Sequence, residues 1–312
     1  MSELEIKDDS SPQPLHIKKP EWLKTKIPGG DVFFDIKRDL RSKQLYTVCE
    51  EAKCPNITEC WSTNTATFMI LGDTCTRGCR FCNVKTGDPK GWLDPHEAEK
   101  TAQSVVLMQL KYAVLTMVDR DDLEDGGAAH IRTVLKEIRS RSPQTRLEFL
   151  GGDFHAKDSS LIEVLAEQPE VFAHNLETVE RLTPRVRDAR ATYRKSLQVL
   201  RRVKDLASYP VLTKSALMLG LGETFDEVVQ TLRDMREAQV DIVTIGQYMR
   251  PSKRHLAIKE FVEPAQFEKL AELAEEFGFL AVASAPLVRS SYRANEFYDK
   301  ALVKRHAREA QV

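Results

Sequence analysis

The sequence has no cysteine outside one short window, no long apolar run and no excess of charge of either sign. All six cysteines lie between Cys49 and Cys82 of the 312 residues. Because 46 basic residues are balanced by 47 acidic ones, we expect no general electrostatic attraction for nucleic acid. No uninterrupted apolar stretch is long enough to span a bilayer. The 30% charged and 42% hydrophobic residues are typical of a folded globular protein.

The first residues carry no recognisable targeting segment. The stretch MSELEIKDDSSPQPLHIKKPEW lacks the apolar core of a secretory signal, and its acidic residues are atypical of a mitochondrial transit peptide. We therefore expect a cytoplasmic protein, in which thiols stay reduced and disulfides are rare. The six cysteines are then predicted to be ligands rather than cross-links.

Beyond residue 65, short apolar runs alternate six times with amphipathic helical patterns. The runs predict strands at 65–72, 112–118, 146–150, 170–176, 211–220 and 240–248. Asp94 is the predicted N-cap of the first helix, with Pro95 at its first position. Strands that alternate with helices indicate a parallel sheet with right-handed crossovers, either an open doubly wound sheet or a complete or partial barrel.

Polar residues and glycines follow each predicted strand, which favours the barrel. They are Cys75, residues 119–127, Gly151, Gly152, Asp153, His174, Asn175, Glu177, Gly220, Gly222, Gly246 and Gln247. In α/β barrels the loops at the carboxyl ends of the strands build the active site. Ordinary turn geometry explains any one of these loops equally well. Only the cysteines distinguish a functional site from a set of turns.

The second cysteine cluster, CTRGCRFC, directly follows the first strand. Cys75, Cys79 and Cys82 are separated by three and two residues. Three close thiolates without a fourth nearby can hold three irons of a cubane cluster and leave one iron open for chemistry. Structural zinc is the main alternative, but such a site needs four closed ligands, commonly two Cys-x2-Cys pairs, and only one such pair is present. A ferredoxin-type electron carrier uses four cysteines per cluster and has no need of a large barrel.

Cys-x3-Cys-x2-Cys in the loop after the first strand of a six-unit βα chain resembles the radical S-adenosylmethionine (SAM) enzymes. Further motifs resemble one family of that superfamily, the lipoyl synthases. These motifs are CEEAKCPNITEC, RSSY near the end of the chain, KPEWLKTKIP, VDRDDLEDGGAAH, HNLET, LMLGLGET and DIVTIGQYMRP. The resemblance runs from about Lys19 to Tyr292. GGDFHA and Ala216 depart from the family pattern, but neither touches a cluster ligand.

The resemblance implies an α/β fold, a partial (β/α)6 TIM-like barrel of the radical SAM type with extensions at both ends. Residues 1–64 would form an N-terminal arm with an auxiliary-cluster segment, residues 65–278 the core, and residues 279–312 a C-terminal segment that folds back to the auxiliary cluster. The implied reaction is that of a sulfurtransferase, which inserts two sulfur atoms at C6 and C8 of an octanoyl group attached to a lysine of a lipoyl carrier domain. No acid or base could remove hydrogen from such a carbon at neutral pH, so a radical cofactor must supply this chemistry.

The implied cofactors are two [4Fe-4S] clusters and SAM. One cluster, where one electron cleaves SAM to methionine and a 5′-deoxyadenosyl radical, would be held by Cys75, Cys79 and Cys82. The auxiliary cluster, the sulfur donor, would be held by Cys49, Cys54, Cys60 and a serine, placed at Ser291 with Ser290 as the alternative. SAM would be contacted by Gly126, Gly127, Asn175 and Glu177. Apart from the resemblance, turn hydrogen bonding is the simpler explanation of both serines.

The implied partners are octanoylated lipoyl carrier proteins, namely E2 domains of 2-oxoacid dehydrogenases and the H protein of glycine cleavage. An electron donor such as flavodoxin or ferredoxin and an iron–sulfur carrier that rebuilds the auxiliary cluster are also implied, with no nucleic acid and no membrane. Seven arginines and one lysine lie between Arg181 and Arg202. They form either a solvated helix face or, through Arg187 and Arg190, a docking face for an acidic carrier domain.

Two other functional interpretations stay open on sequence alone. One is a different two-cluster radical SAM sulfur transferase, and the other is a binding protein built on a barrel and stabilised by zinc or a cluster. Production of 5′-deoxyadenosine would separate an enzyme from a binding protein. Conversion of an octanoylated lysine peptide would separate the two enzymes.

Overall fold

The computed structural model describes residues 18–24, 38, 41, 46–47, 56–62 and 65–310. Its strands are β1 Tyr46–Thr47, β2 Thr65–Ile70, β3 Thr74–Cys75, β4 Lys85–Thr86, β5 Tyr112–Met117, β6 Arg146–Leu150, β7 Val171–Ala173, β8 Leu212–Leu219, β9 Ile242–Gln247 and β10 Ala281–Ser284. Its α-helices are α1 Ile57–Ser62, α2 Glu97–Leu107, α3 Ala128–Arg141, α4 Asp158–Leu165, α5 Thr183–Val186, α6 Tyr193–Leu206, α7 Phe225–Glu237, α8 Pro264–Glu276 and α9 Ala294–Glu309.

The main sheet has the strand order β1-β2-β5-β6-β7-β8-β9-β10. The strands from β2 to β10 pair in parallel, and β1 pairs with β2 in the antiparallel direction. Six of the parallel strands are those predicted from the sequence, each followed by a helix, so the α/β class with a mostly parallel sheet is confirmed. Among the described residues β1 and β10 do not pair with each other, so the sheet does not close into a complete barrel.

The strands are largely buried because both faces of the sheet are covered. Every residue of β2 and of β9 is buried, which is the pattern of a parallel sheet flanked by helices. Helix α6 buries Val199, Leu200 and Val203 along one face. Thr192 caps this helix, because its side chain accepts from the backbone N–H of Lys195. The apolar face of α6 therefore packs against the sheet, and the cap at Thr192 fixes where the helix begins.

Three features differ from the sequence expectation. Strand β10 extends the parallel sheet by a seventh strand, and β1 adds a short antiparallel edge. The first helix after β2 begins at Glu97 rather than at Pro95. The Asp94 carboxylate accepts from the backbone N–H of His96 at 2.9 Å, and this hydrogen bond holds residues 95–96 in a turn before the helix starts.

A buried charged group ties three strands together inside the sheet. Lys214 Nζ lies 2.8 Å from Glu148 Oε1, and Tyr112 Oη donates to Glu148 Oε2 at 2.8 Å. The exposed fractions are 1% for Tyr112 and Glu148 and 2% for Lys214. Burial and the neighbouring Glu148 carboxylate raise the pKa of Tyr112 well above its ordinary value, so the phenol stays protonated and donates. The group links β5, β6 and β8 through paired rather than isolated charge.

Helix α9 lies against the amino ends of the strands. The ring of Tyr298 is 5.9 Å from that of Tyr112, the first residue of β5. Lys304 Nζ donates to the carbonyl of Phe279, just before β10, at 3.0 Å. The carboxyl ends of the strands are therefore left to the loops that carry the functional side chains. In the described part of the chain, no helix combines the length and apolar character needed to cross a membrane.

Candidate functional site

Residues 75–82, the cluster loop, follow β2 at the carboxyl edge of the sheet. Thr76 N donates to the carbonyl of Asp119 at 2.9 Å, and Arg80 N donates to the carbonyl of Val186 at 2.9 Å. Thr76 Oγ1 also donates to Asp121 Oδ2 at 2.8 Å. The loop after β5 and the helix end at residue 186 thus fix the path of the cluster loop.

The three thiols of the cluster loop are half-buried and form no disulfide. Arg77 N donates to Cys75 Sγ at 3.4 Å, and Asp188 N donates to Cys79 Sγ at 3.3 Å. Burial raises the pKa of Cys75 to about 12 and that of Cys79 to about 11, and it also raises the pKa of Cys82. The free thiols are therefore protonated at neutral pH. The backbone donors favour the thiolate that forms when a metal binds.

This donor set fits an iron–sulfur cluster better than a single metal ion. Within the residues that the structure describes, no three His, Cys, Asp or Glu side chains lie close enough together to bind one ion. A cubane cluster binds each thiolate through a different iron, so its ligands need not meet at one point. Three thiols with N–H groups donating to sulfur provide both the ligands and the hydrogen bonds that such a cluster uses.

Arg77, between the first two thiols, connects the cluster loop to two neighbouring loops through buried charge pairs. Its guanidinium lies 2.8 Å from Asp121 Oδ1 and 2.8 Å from each carboxylate oxygen of Asp153. The side chains of Arg77 and Asp153 are only 3% and 1% exposed. Burial by itself would raise the pKa of Asp153, but the hydrogen bonds from Arg77 hold it well below its usual range. The loops after β2, β5 and β6 therefore converge, as the barrel hypothesis expects.

Asn175 and Glu177 follow β7 at the same edge of the sheet. Asn175 Nδ2 donates to Glu177 Oε1 at 3.1 Å, whereas the buried Asn175 Oδ1 has no partner among the described residues. Glu177 has a φ of +69°, which a residue with a side chain adopts only at a cost. Burial raises the pKa of Glu177, and the positive charge of Arg187 opposes this rise. An unpartnered buried oxygen beside a strained backbone is typical of a ligand site.

Gly126 and Gly127 end the loop after β5. Gly127 has a φ of +88°, and a Cβ atom there would lie 2.7 Å from Leu71 Cδ1. Its N–H donates to Asp125 Oδ1 at 2.8 Å, immediately before α3 begins. Turn conformation and close packing therefore explain why glycine is required at this position. Contact of these two glycines with SAM stays a prediction.

The C-terminal segment lies beside α1, the helix that carries the buried Cys60. Asn56 Nδ2 donates to the carbonyl of Leu287 at 2.7 Å. Arg293 Nε donates to Glu59 Oε1 at 2.9 Å. Segments more than 200 residues apart in sequence are thus in direct contact.

The other predicted ligands of the auxiliary cluster are placed only in part. Ser290 and Ser291 are half-buried in the turn before α9. Cys49 and Cys54 lie outside the described residues. The ligand set of this cluster therefore stays a prediction.

The docking hypothesis does not agree with the surroundings of Arg187, whereas the exposed Arg190 leaves it a prediction. Arg187 is 8% exposed and donates to Ser196 Oγ at 2.7 Å, so it offers no docking surface and the hypothesis is wrong for this residue. Arg190 Nη2 donates to the carbonyl of Thr76 at 2.7 Å and Arg190 pairs with Asp188. Sequence reasoning missed that both arginines support the site. The sequence signal for this supporting role was the basic stretch from Arg181 to Arg202, which follows β7.

Comparison with known proteins assigns the arrangement to a class. Residues 69–235, more than half of the chain, match the family model described as the Radical SAM superfamily. The solved structure of methylornithine synthase (PylB) aligns with a TM-score of 0.55 at 13% identity, over 68% of this chain and 62% of that chain. HydG, a maturase of the [FeFe]-hydrogenase, aligns with a TM-score of 0.54 at 12% identity, over 80% of this chain and 65% of that chain. At such low identity these likenesses show the fold alone. The fold, the family model and the cluster loop together define a radical SAM enzyme.

Closer relatives narrow this class. Residues 4–54 match the model of the N-terminal domain of lipoyl synthase. A protein named mitochondrial lipoyl synthase from Schizosaccharomyces pombe is 54% identical over 299 residues, which are 94% of this chain and 80% of that protein. Proteins of the same name from Candida albicans (strain SC5314) and Zygosaccharomyces rouxii are 55% and 54% identical, over 92% and 94% of this chain and 76% and 77% of theirs. The chain belongs to the lipoyl synthase family of radical SAM, sulfur-inserting enzymes. The family and the enzyme class expected from the sequence are confirmed.

The relatives also correct one expectation. All three are named mitochondrial, so the cytoplasmic location expected from the sequence is wrong, and the names point to mitochondria instead. The expectation rested on the acidic composition of the first residues. A composition atypical of a transit peptide does not establish where a protein resides.

Proposed function

We propose that this enzyme completes the lipoyl group on a carrier protein, by inserting sulfur at C6 and C8 of an octanoyl chain attached to a lysine. The observation that carries the proposal is the cluster loop, in which backbone N–H groups donate to the sulfurs of Cys75 and Cys79. The identity of 54% to a lipoyl synthase over 94% of the chain supports the choice of substrate.

The cluster loop holds one [4Fe-4S] cluster in this proposal. Cys75, Cys79 and Cys82 are its ligands, and the iron without a cysteine is left for SAM. When bound, the cluster and SAM together supply the radical that removes hydrogen from the unactivated carbons of the octanoyl chain. The protein's own part is to keep the loop in one position, and the tethers through Thr76, Arg77 and Arg80 support that role.

Four residues at the carboxyl edge of the sheet bind SAM in this proposal. Asn175 and Glu177 contact its methionine or ribose part, and the unpartnered Asn175 Oδ1 and the strained backbone of Glu177 support this assignment. Gly126 and Gly127 lie near its amino group. The positive φ of both glycines fixes the turn of the loop after β5 at this edge of the sheet.

An auxiliary [4Fe-4S] cluster is the proposed sulfur donor. Its proposed ligands are Cys49, Cys54, Cys60 and Ser291. The contacts that join α1 to the C-terminal segment, between Asn56 and Leu287, support this arrangement. The chain then has three parts, an arm with the auxiliary-cluster segment (1–64), the radical SAM core (65–278) and a C-terminal segment (279–312). A serine oxygen is a weaker iron ligand than a thiolate, so it can leave and expose an iron and its sulfide.

The reaction also requires protein partners. We propose octanoylated E2 domains of 2-oxoacid dehydrogenases and the H protein of glycine cleavage as substrates. Flavodoxin or ferredoxin is the proposed source of electrons, and an iron–sulfur carrier protein is proposed to rebuild the auxiliary cluster after it is consumed.

Iron, acid-labile sulfide and zinc per chain, measured after anaerobic purification, test the cofactor assignment. We expect about eight irons with matching sulfide, and about four in either a Cys79→Ala or a Cys60→Ala variant. The wild-type enzyme should convert an octanoylated lysine peptide to the lipoyl form and release 5′-deoxyadenosine, followed by mass spectrometry. Zinc without sulfide would contradict the cofactor assignment. Full iron content with 5′-deoxyadenosine but no sulfur in the peptide would contradict the substrate.

A further inference from the structure

Four cationic side chains beside the cluster loop form no ion pair within the described part of the chain. They are Arg80, Arg185, Lys253 and Arg254, and together they are called the cationic rim. All four are exposed to solvent. The rim therefore presents four cationic side chains to solvent.

Hydrogen bonds connect the cationic rim to the cluster loop. Arg80 lies in the loop itself, and its N–H donates to the carbonyl of Val186, next to Arg185, at 2.9 Å. The carbonyl of Arg80 accepts from Leu256 N at 3.2 Å. His255 Nε2 lies 2.9 Å from the carbonyl of Cys82. Arg80 therefore lies in the thiol-bearing loop, and the other three rim residues lie within two positions of a residue that touches it.

Other cations near this edge are used within the molecule. Arg181 pairs with Glu227, Arg190 with Asp188, Arg194 with Glu180, and Arg202 with Asp158. These four arginines are thus paired within the molecule, whereas no ion pair is found for the rim residues among the described residues. Such a patch raises the rate at which an oppositely charged protein associates, by about 10–1,000-fold.

We propose that the cationic rim is the docking surface for an acidic electron-carrier protein that reduces the SAM cluster. The inference rests on the proposed function, because each SAM cleavage needs one electron from outside the enzyme. That electron passes from the carrier to the cluster and then to SAM, whose carbon–sulfur bond breaks to leave methionine and an adenosyl radical. An electron donor needs only to approach the loop from its exposed side. An octanoyl-lysine arm must instead enter between the strand ends, so the rim fits the electron carrier better than the lipoyl carrier.

The test compares two charge-reversed variants of the full-length holoenzyme. Lys253→Glu/Arg254→Glu reverses half of the rim without altering the cluster loop. Lys111→Glu/Lys136→Glu is the matched control, since both lysines are exposed, lack an ion pair among the described residues and lie before β5 and on α3. Each double variant changes the net charge by the same amount. Formation of 5′-deoxyadenosine is measured with a photoreduced acidic flavodoxin and, separately, with photoreduced deazariboflavin, a small reductant.

With flavodoxin we expect the rim variant to react at least tenfold more slowly at low salt than wild type, and to lose most of its salt dependence. The control variant should match wild type, and all three proteins should react equally with the small reductant. An unchanged flavodoxin rate in the rim variant would overturn the proposal, as would a change confined to the KM for an octanoylated carrier domain. Absence of 5′-deoxyadenosine with both reductants, in wild type as well, would instead contradict the proposed function.

Discussion

Replacing Arg77 by methionine removes the guanidinium that binds the buried Asp153 and the partly buried Asp121 beside the cluster thiols. Asp153 is 1% exposed and, among the described residues, would keep only Lys195, at 3.5 Å, as an ion-pair partner. Breaking a buried pair of this kind typically destabilises a protein by about 3–5 kcal/mol, since a buried charge is left without its partner. Because Lys195 compensates in part, we expect a loss of about 3 kcal/mol from the free energy of unfolding.

The assay is urea unfolding of the cluster-free protein, followed by circular dichroism, so that cluster loss does not enter the transition. Arg77→Met/Asp153→Asn is the companion variant, because a neutral amide in place of the stranded carboxylate should recover about 2 kcal/mol as a coupling free energy. Arg146→Met is the surface control. Its pair with Asp299 is roughly half exposed at both ends, so we expect a loss below about 1 kcal/mol.

Arg77→Lys separates charge from geometry at the same position. Lysine keeps the positive charge but cannot make the paired hydrogen bonds of a guanidinium, so the variant should be intermediate in stability. After reconstitution, the electron paramagnetic resonance signal of the reduced SAM cluster should change in Arg77→Met, while that of the proposed auxiliary cluster stays as in wild type. A loss of stability in Arg77→Met no larger than that of Arg146→Met would refute the reasoning.

The remaining predictions concern buried His174, the glycine turn and the charged group in the core. Burial lowers the pKa of His174 from its ordinary 6.5 to about 4, so the unfolded chain binds a proton that the folded chain excludes, and stability should fall as pH decreases from 6.5 towards 4. The loss attributable to this residue is about 2 kcal/mol at pH 5, and His174→Gln should flatten that slope in urea unfolding at several pH values; an unchanged slope would contradict it. Gly127→Ala should lower thermal stability by about 1–3 kcal/mol more than Gly91→Ala, because both have positive φ but only Gly127 is crowded; equal effects would refute the crowding argument. Lys214→Met should lower the free energy of unfolding by about 3–5 kcal/mol in urea, and by much less when it is combined with Glu148→Gln. Equal losses in the single and the double variant would contradict a buried ion pair.

The sequence predicts the six strands of the core because each is a continuous apolar run between turn residues. It did not predict β10, since AVAS is only four residues long and made of small side chains. Helix α9 was also missed, because ANEFYDKALVKRHARE mixes polar and apolar residues with no clear helical period. Local patterns thus identify elements that are long and strongly apolar, and they overlook those defined by their neighbours.

The spacing of the cysteines and their position after β2 predict the cluster loop, but not the groups that hold it. Arg77 binds Asp121 and Asp153, which lie 44 and 76 residues away. A local sequence pattern cannot predict these ion pairs, because the partners come together only when the strands are adjacent in the folded sheet. The sequence did contain a hint of this ion pairing, since a basic residue lies between two cysteines and the acidic stretch DRDDLED follows a later strand. Opposite charge alone, however, does not specify which residues pair.

The tethers of the cluster loop also determine at which stage of folding the proposed cluster site can form. Thr76, Gly78 and Arg80 hydrogen-bond to residues 119, 188 and 186, so the closing contacts span from 43 to 110 residues of chain. Contacts of such sequence separation form late in folding, after the intervening strands have paired. A chain still emerging from the ribosome therefore offers the three thiols without the backbone donors to their sulfurs. Any cluster bound by these thiols is therefore inserted into a folded chain, and maturation of the enzyme follows folding.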